Sequence, residues 1–288
     1  MAPTFTSMEA SNGHEVPKVA SIKTLADSAS LTFVPSEYTY TKNPNEQGDA
    51  NDPEHSIPII DFALLTSGSP DHRAKVIQEL RRACEEWGFF QVTNHGVPES
   101  LMQSMIDACH RFFDLPEEEK KEFQTRNLLD PIKCGTSFNA NIEKVHLWRD
   151  FLKVIAHPEF NSLYKPAGYS ENEMGGLEVK HKDQWVLVNA TPGAFIVNIG
   201  DQMQILTNEK YKSIWHRAVV NNKATRISIA VPHGPSLDTP ALPIPELLER
   251  EGQPPKYVGM TYEKFMELQA SPAALTKPCL HHLRVKHN

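Results

Sequence analysis

The feature that most limits the fold is a series of short apolar segments in the second half of the chain, separated by turn-forming residues. These segments are residues 177–180, 185–188, 194–199, 218–220 and 226–231. Short strands at such close spacing are typical of a sandwich or a jelly roll. The sequence therefore predicts a β-rich second half, with a hairpin whose turn lies at residues 181–184.

The first half of the chain has a different pattern. Ser69, Pro70 and Asp71 match an N-cap, a proline at the first helical position and an acid in the first turn, and apolar residues follow at helical spacing as far as Trp87. A second helix is predicted from apolar residues that we expect in the core, namely Leu101, Met102, Met105, Ile106, Cys109, Phe112 and Phe113. Residues 57–62 and 89–93 are predicted strands, so the predicted class is α+β.

Four regions are predicted along the chain. Residues 1–55 form a polar N-terminal segment, partly disordered, with a short helix within 19–29 and a loop at 43–53. Residues 56–171 form an N-terminal region of helices and short strands, and residues 172–240 form a β-rich core. Residues 241–288 contain a C-terminal helix near 261–269 and a tail.

Composition excludes several functions. The net charge of −7 argues against a protein that binds nucleic acid through phosphate contacts. No apolar run approaches the ~18 residues of a membrane-spanning helix. The first thirty residues are too polar for a secretory signal. The four cysteines are far apart, which fits a reducing compartment, so we expect a cytoplasmic protein.

One group of residues has the chemistry of a binding site. His216 precedes one predicted strand, and Arg226 and Ser228 lie on the next. If the two strands are neighbours, the imidazole could bind a metal while the guanidinium and hydroxyl grip a carboxylate. More commonly, a histidine at a strand end has a structural role and an arginine on a strand faces solvent. Both interpretations stay open from the residues alone.

Several segments in order along the chain resemble the plant iron(II)- and 2-oxoglutarate-dependent dioxygenases, close to the flavanone-3-hydroxylase-like and downy-mildew-resistance-type oxygenases. The matching segments are residues 57–62, 87–98, 148–153, 175–179, 192–201, 216–221 and 226–228. The resemblance runs from about residue 20 to the C-terminus, and its many ordered matches make it specific.

The resemblance implies a double-stranded β-helix that holds Fe(II) through a His-x-Asp pair and a distal histidine. His216 resembles the distal ligand, and Arg226 with Ser228 resembles the pair that binds 2-oxoglutarate as cosubstrate. Ascorbate is the implied activator. The implied reaction is hydroxylation or desaturation of a small plant specialised metabolite, such as a flavonoid or a phenolic.

The sequence departs from the family after Glu171. The family continues there with a helical stretch and a strand carrying the His-x-Asp pair, whereas this chain passes directly to Asn172. The β-helix is therefore expected to be incomplete, with two of three iron ligands absent. Two hypotheses remain: an oxidoreductase whose gene model has lost a segment, and a non-catalytic truncated isoform that is at most a binding or regulatory remnant. We expect a monomer that aggregates through exposed sheet edges, with a small molecule as its partner if it is active.

Two other histidine groups are candidates for metal binding. His181 and Asp183 have His-x-Asp spacing, but they fall in the predicted hairpin turn. They also follow the Gly-Gly segment at residues 175–176, whereas the His-x-Asp pair of the family precedes that segment. His281 and His282 lie near the C-terminus, where a frayed polar tail is expected.

The remaining family-like residues are expected to support the scaffold. Asn94 and His95 follow a predicted strand, and Arg149 and Asp150 could form an ion pair near the pocket. Phe138 and Trp148 are expected to pack in the core rather than to contact substrate.

Overall fold

The computed structural model describes residues 21–28, 31–38, 56–125, 130–136, 147–156, 176–219, 225–269, 271 and 279–285. The helices are α1 (Ile22–Ala26), α2 (Phe62–Ser67), α3 (Pro70–Arg82), α4 (Glu99–Phe113), α5 (Glu117–Lys120), α6 (Asp201–Leu206), α7 (Pro245–Glu251), α8 (Tyr262–Gln269) and α9 (Cys279–Leu283). Short 3-10 turns span Ser36–Tyr38 and Lys121–Phe123, and a π turn, Ala83–Trp87, continues α3.

The described strands are short, as the sequence predicts. They are β1 (Ile59–Asp61), β2 (Phe89–Thr93), β3 (Ile132–Gly135), β4 (Phe151–Val154), β5 (Leu177–His181), β6 (Gln184–Leu187), β7 (Phe195–Asn198), β8 (His216–Ala218), β9 (Pro240–Ala241) and β10 (Met260–Thr261). One three-stranded sheet has the order β1-β2-β7, and a second has the order β6-β5-β8. The pairs β3-β4 and β9-β10 are antiparallel.

The helix predicted from residue 69 is confirmed in its local chemistry. The Ser69 hydroxyl accepts a hydrogen bond from the His72 N–H at 3.4 Å, and Pro70 occupies the first turn. The π turn carries Cys84 and Trp87 into the interior. Gly88 ends the helix with φ +63°, a conformation that costs glycine little. The chain can then enter β2 directly.

Two buried clusters lie on either side of β2. Trp87 and Phe89 pack with Val179, Val186 and Val188 of the second sheet. The opposite cluster packs helix α3 and its π turn against the first sheet through Ile60, Val76, Ala83, Cys84, Phe90 and Ile199. Side chains alternate between the two faces of β2, so Phe89 packs in the first cluster and Phe90 in the second. The strand therefore contacts the second sheet on one face and helix α3 on the other.

A third cluster holds the C-terminal region. Leu283 and Phe265 are almost fully buried and pack with Ile205 of α6. Residues 279–285 form helix α9 and a bridge between Tyr257 and Arg284. The expected frayed tail at His281 and His282 is therefore wrong, because Cys279 and Leu283 on the same helix are buried.

Two further predictions are wrong. Residues 226–231 form no strand, because no described strand lies in register with them to exchange backbone hydrogen bonds. Leu101 and Met105 are 60% and 51% exposed although they were expected in the core. Helical periodicity identifies the apolar face of α4, but it does not determine whether another part of the chain covers that face.

Some predictions fall on other residues. The loop at 43–53, Phe138 and the junction of Glu171 with Asn172 lie outside the described residues. Within the described part of the chain, no helix is both long enough and apolar enough to cross a bilayer.

Candidate functional site

His216 is the first residue of β8, opposite Val179 of β5. Its ring meets the Phe89 ring edge-on, with centroids 5.3 Å apart. Nδ1 lies 3.1 Å from the Ile214 carbonyl oxygen. Since a carbonyl only accepts, Nδ1 carries the proton in this hydrogen bond, which leaves Nε2 of the neutral ring as an acceptor. In this tautomer Nε2 carries the lone pair with which a neutral imidazole binds a metal, and His216 is exposed.

Arg226 reaches the same sheet at its other end. Gly176 has φ +146°, and a Cβ built there would lie 3.1 Å from the Val219 carbonyl oxygen and 3.6 Å from Cδ of Arg226. The glycine thus allows the half-buried arginine to lie close to the start of β5. His216 and Val219 are three residues apart on one extended segment, which is about 10 Å. Ser228 is exposed beyond Arg226.

The structure therefore brings His216 and Arg226 to one sheet but not to one point. The sequence-based expectation of neighbouring strands is met only in part, since the segment carrying Arg226 and Ser228 is not paired as a strand. Within the described residues, no three side chains among His, Cys, Asp and Glu come together as a metal site. The three-ligand face that Fe(II) requires is not formed by this set.

The His181-x-Asp183 pair is divided between two environments. The His181 ring stacks on the Trp87 ring, with centroids 3.8 Å apart and planes 4° apart. Asp183 lies in the turn, its side chain 98% exposed, with Oδ1 3.5 Å from Nζ of Lys180. Lys182 and Asp183 have φ of +46° and +65°, as a two-residue hairpin turn requires. The predicted turn is confirmed, and the two side chains do not converge on a metal.

The approach to His216 is held by a polar network that the sequence did not indicate. Ser213 donates its N–H to the side-chain oxygen of Gln204 at 2.7 Å, and Gln204 donates to the Tyr257 hydroxyl at 2.7 Å. Tyr257 donates to Glu209 at 2.8 Å, and Arg284 also pairs with Glu209. These contacts fix residues 204–213, which lead directly into β8.

The charges in this network have opposite effects on its acid and its phenol. Burial alone would raise the pKa of Glu209, but the hydrogen bond from Tyr257 and the charges of Arg284 and Lys256 hold that pKa below its ordinary value. Burial raises the pKa of Tyr257 to about 12. Glu209 is thus ionised and Tyr257 protonated at neutral pH. No short motif marks these residues, because they meet only after the C-terminal region folds back.

The other family-like residues have structural contacts. Asn94, at φ +52°, donates from Nδ2 to Asp61 at 2.8 Å, and His95 stacks on Phe195 with centroids 4.1 Å apart. Trp148 meets the Tyr38 ring edge-on at 4.9 Å. These contacts agree with the expected scaffold roles.

Asp150 has a role at the N-terminal segment. Its carboxylate accepts hydrogen bonds from the Ser21 hydroxyl and from the N–H groups of Ile22 and Lys23, each at 2.9 Å. It therefore caps helix α1. The suggested ion pair with Arg149 stays a prediction.

Two family models match the chain. The model described as non-haem dioxygenase in morphine synthesis, N-terminal, matches residues 57–173, and the model of the 2OG-Fe(II) oxygenase superfamily matches residues 151–235. Among solved structures, that of JOX2 in complex with 2OG, Fe and JA has a TM-score of 0.71 at 23% identity, covering 93% of this chain and 98% of the other. That similarity supports the fold.

Curated relatives extend the match. The 2-oxoglutarate-dependent dioxygenase 19 of Oryza sativa subsp. japonica is 33% identical, covering 82% of this chain and 92% of the relative. Flavanone 3-dioxygenase 2 of the same organism is 28% identical, covering 81% and 89%. The first alignment spans 311 positions, whereas 82% of the 288-residue chain is about 236 residues, so about 75 aligned positions have no residue in this chain.

Proposed function

Because the chain belongs to the 2OG-Fe(II) oxygenase superfamily, we propose that it is a non-catalytic member of a plant dioxygenase group that acts on small phenolic or flavonoid metabolites. In its relatives this class of enzyme uses Fe(II) and 2-oxoglutarate. In this chain His216 is the remaining ligand, and Arg226 with Ser228 is the remaining cosubstrate clamp. The chain as it stands does not hold iron tightly enough for turnover.

The observation that carries this proposal is the isolation of His216. Among the described residues no second and third ligand accompany its Nε2. In the alternative His-x-Asp pair, the half-buried His181 ring stacks on Trp87, whereas the Asp183 side chain is exposed in the turn. Removal of first-shell ligands lowers metal affinity steeply, because each ligand must be both present and oriented. The total of about 75 positions of the rice dioxygenase alignment that have no residue in this chain supports a lost internal segment.

Exposed apolar side chains support an incomplete β-helix. Trp215 next to the candidate ligand is 64% exposed, and Ile229 and Val231 beyond Arg226 are 41% and 69% exposed. Such residues usually face the interior of a closed barrel. We propose that the missing segment would cover them, and that the truncated chain, a cytoplasmic monomer when dilute, associates through this surface and its unpaired sheet edges.

The test measures iron and turnover in one pair of proteins. The chain as it stands is compared with a chimera that carries, between Glu171 and Asn172, the corresponding segment of the rice dioxygenase. Fe(II) content is measured by mass spectrometry, and succinate formation from 2-oxoglutarate is measured with ascorbate present. We expect less than 0.1 Fe per chain and no succinate for the natural chain.

The chimera supplies the positive control. We expect about one Fe per chain in it, and H216A in the chimera should remove both iron and succinate formation. Stoichiometric iron in the natural chain, lost on H216A, would overturn the proposal. Sequencing of transcripts across the codons for Glu171 and Asn172 separates a splice form from a gene-model error, since only a splice form gives transcripts without the extra segment.

A further inference from the structure

The ring of His95 joins two parts of the first sheet through both of its nitrogens. Nδ1 accepts a hydrogen bond from the Val97 N–H at 3.1 Å, and Nε2 lies 2.8 Å from the Gly193 carbonyl oxygen. Residues 94–98 connect β2 to α4, and Gly193 lies in the turn before β7. One half-buried side chain therefore holds the β2–α4 loop to that turn.

These two partners fix the protonation state of the ring. A backbone N–H only donates and a backbone carbonyl only accepts, so Nδ1 is the acceptor and Nε2 carries the proton. This is the neutral imidazole, because the cation has a proton on both nitrogens. A proton added at Nδ1 would face the Val97 N–H, and two donors cannot bond to each other. Protonation of His95 therefore keeps the contact with Gly193 and removes the contact with Val97.

The Val97 contact lies directly before the first turn of α4. The N-cap residue of this helix is Pro98, which makes no side-chain capping hydrogen bond. The N–H groups of Leu101 and Met102 donate to the Pro98 carbonyl at 3.0 and 3.2 Å. The position of Pro98 thus determines whether these N–H groups are satisfied. A movement of Val97 is therefore passed to the start of α4.

The charged groups around the ring do not replace the lost contact. The acids on neighbouring elements are Asp61 at the start of α2 and Glu99 in the first turn of α4. Among the described residues neither carboxylate pairs with the imidazole, and Asp61 accepts from Asn94 Nδ2 at 2.8 Å and from the Ala63 N–H at 2.9 Å. Residues 189–198, which include β7 and the turn before it, contain no titratable side chain.

We propose that His95 is a pH-sensitive latch on the β2–α4 loop. The neutral imidazole holds residues 95–98 to the turn before β7, and protonation at Nδ1 releases Val97 and loosens the first turn of α4. The Val97 contact is therefore present at neutral pH and is lost as the pH falls. Histidine is the side chain whose charge ordinarily changes between about pH 5 and 8. The latch does not depend on whether the chain holds iron.

Hydrogen exchange at single amides of the natural chain tests the latch, with Thr191 as the internal control. The Thr191 N–H donates to Oε1 of Gln91 at 2.7 Å, and a carboxamide does not titrate. Exchange is compared at about pH 7.5 and about pH 5.5, after correction for the intrinsic pH dependence of exchange. We expect the protection of Val97 to fall at least about threefold at the lower pH, as the loss of one hydrogen bond predicts, and that of Thr191 to stay unchanged.

Two variants separate His95 from the other histidines. In H95Q the side-chain oxygen can accept from the Val97 N–H and the amide nitrogen can donate to Gly193 at every pH, so the pH effect on Val97 should disappear. The matched control is H72Q, since His72 is exposed on α3, and it should behave like the natural chain. An equal pH effect on Val97 in H95Q and in the natural chain would overturn the latch, as would pH-independent protection of Val97 in the natural chain.

A second measurement needs no variant. Long-range proton–nitrogen NMR spectra of the labelled natural chain, with His95 assigned through its backbone, report which ring nitrogen carries a proton. We expect the proton on Nε2 at about pH 7.5 and on both nitrogens at about pH 5.5. A neutral ring with its proton on Nδ1, or a ring that stays neutral at the lower pH, would refute the latch.

Discussion

Replacement of Gly88 by alanine should disturb the segment that leads into the candidate ligand. Gly88 has φ +63°, and a Cβ at this position would lie 2.5 Å from the Lys212 carbonyl oxygen and 2.6 Å from Cγ1 of Ile214. Both atoms belong to the stretch just before His216, whose Nδ1 bonds to the Ile214 carbonyl. The substitution therefore forces a backbone shift where the imidazole is oriented.

The expected cost has two parts. A residue with a Cβ costs about 1–2 kcal/mol in the left-handed conformation. Overpacking against backbone and the half-buried Ile214 side chain costs about 1–3 kcal/mol more. G88A should therefore lower the free energy of unfolding by about 2–5 kcal/mol, which is a large part of the ~5–15 kcal/mol of an ordinary domain.

The matched control is Gly96, which has φ +79° but no atom within 4 Å of its built Cβ. G96A should cost only the conformational part, about 1–2 kcal/mol. Urea unfolding followed by tryptophan fluorescence measures both variants, with Trp87 next to Gly88 as one reporter. If G88A is no more destabilising than G96A, the close approach of Gly88 to residues 212–214 does not carry the stability assigned to it.

Three further outcomes are expected. D150A should increase amide hydrogen exchange throughout α1, since three hydrogen bonds of about 1 kcal/mol each hold that helix; unchanged exchange would contradict the cap. Glu209 has a folded pKa below its unfolded value, so its stabilisation is present above the unfolded pKa and is lost as pH falls through the folded pKa. The free energy of unfolding of E209Q should therefore fall less at acidic pH than that of the natural chain. If the two proteins lose stability in parallel as the pH falls, ionised Glu209 does not stabilise the fold. R217M should alter the fluorescence of Trp185 and cost about 1 kcal/mol, because Arg217 lies 4.0 Å from that ring and 2.6 Å from Glu178; an unchanged spectrum would contradict the stacking.

Local chemistry explains which parts of the fold the sequence predicts. The helix from Ser69 and the hairpin at Lys182–Asp183 each depend on residues within a few positions, and both are confirmed. The strand predicted at 226–231 depends on a partner, and composition alone does not provide one. The prediction that Leu101 and Met105 of α4 are buried fails for the same reason, since burial depends on what covers a helix face and not on its periodicity.

The candidate site shows the same division. His216 and Arg226 were identified from residue type and order. The structure places His216 on the second sheet and the Arg226 side chain beside Gly176, just before β5. The position of Arg226 relative to His216 depends on Gly176 and on the absence of a strand at residues 225–231. No local sequence pattern specifies either feature.

Packing and hydrogen bonding orient His216. Its ring contacts Phe89, its strand pairs with β5, and its Nδ1 is held by a backbone carbonyl, and each of these contacts also serves the core around Val179. A ligand-like geometry at this residue is therefore compatible with a chain that holds no iron. Under the proposed function, stability and iron content are therefore separable. G88A should lower the free energy of unfolding of the natural chain, for which we propose no bound iron. In the chimera with the restored segment, the same substitution should also reduce iron content. A chimera that keeps full iron content after G88A would show that the imidazole is positioned independently of residues 212–214.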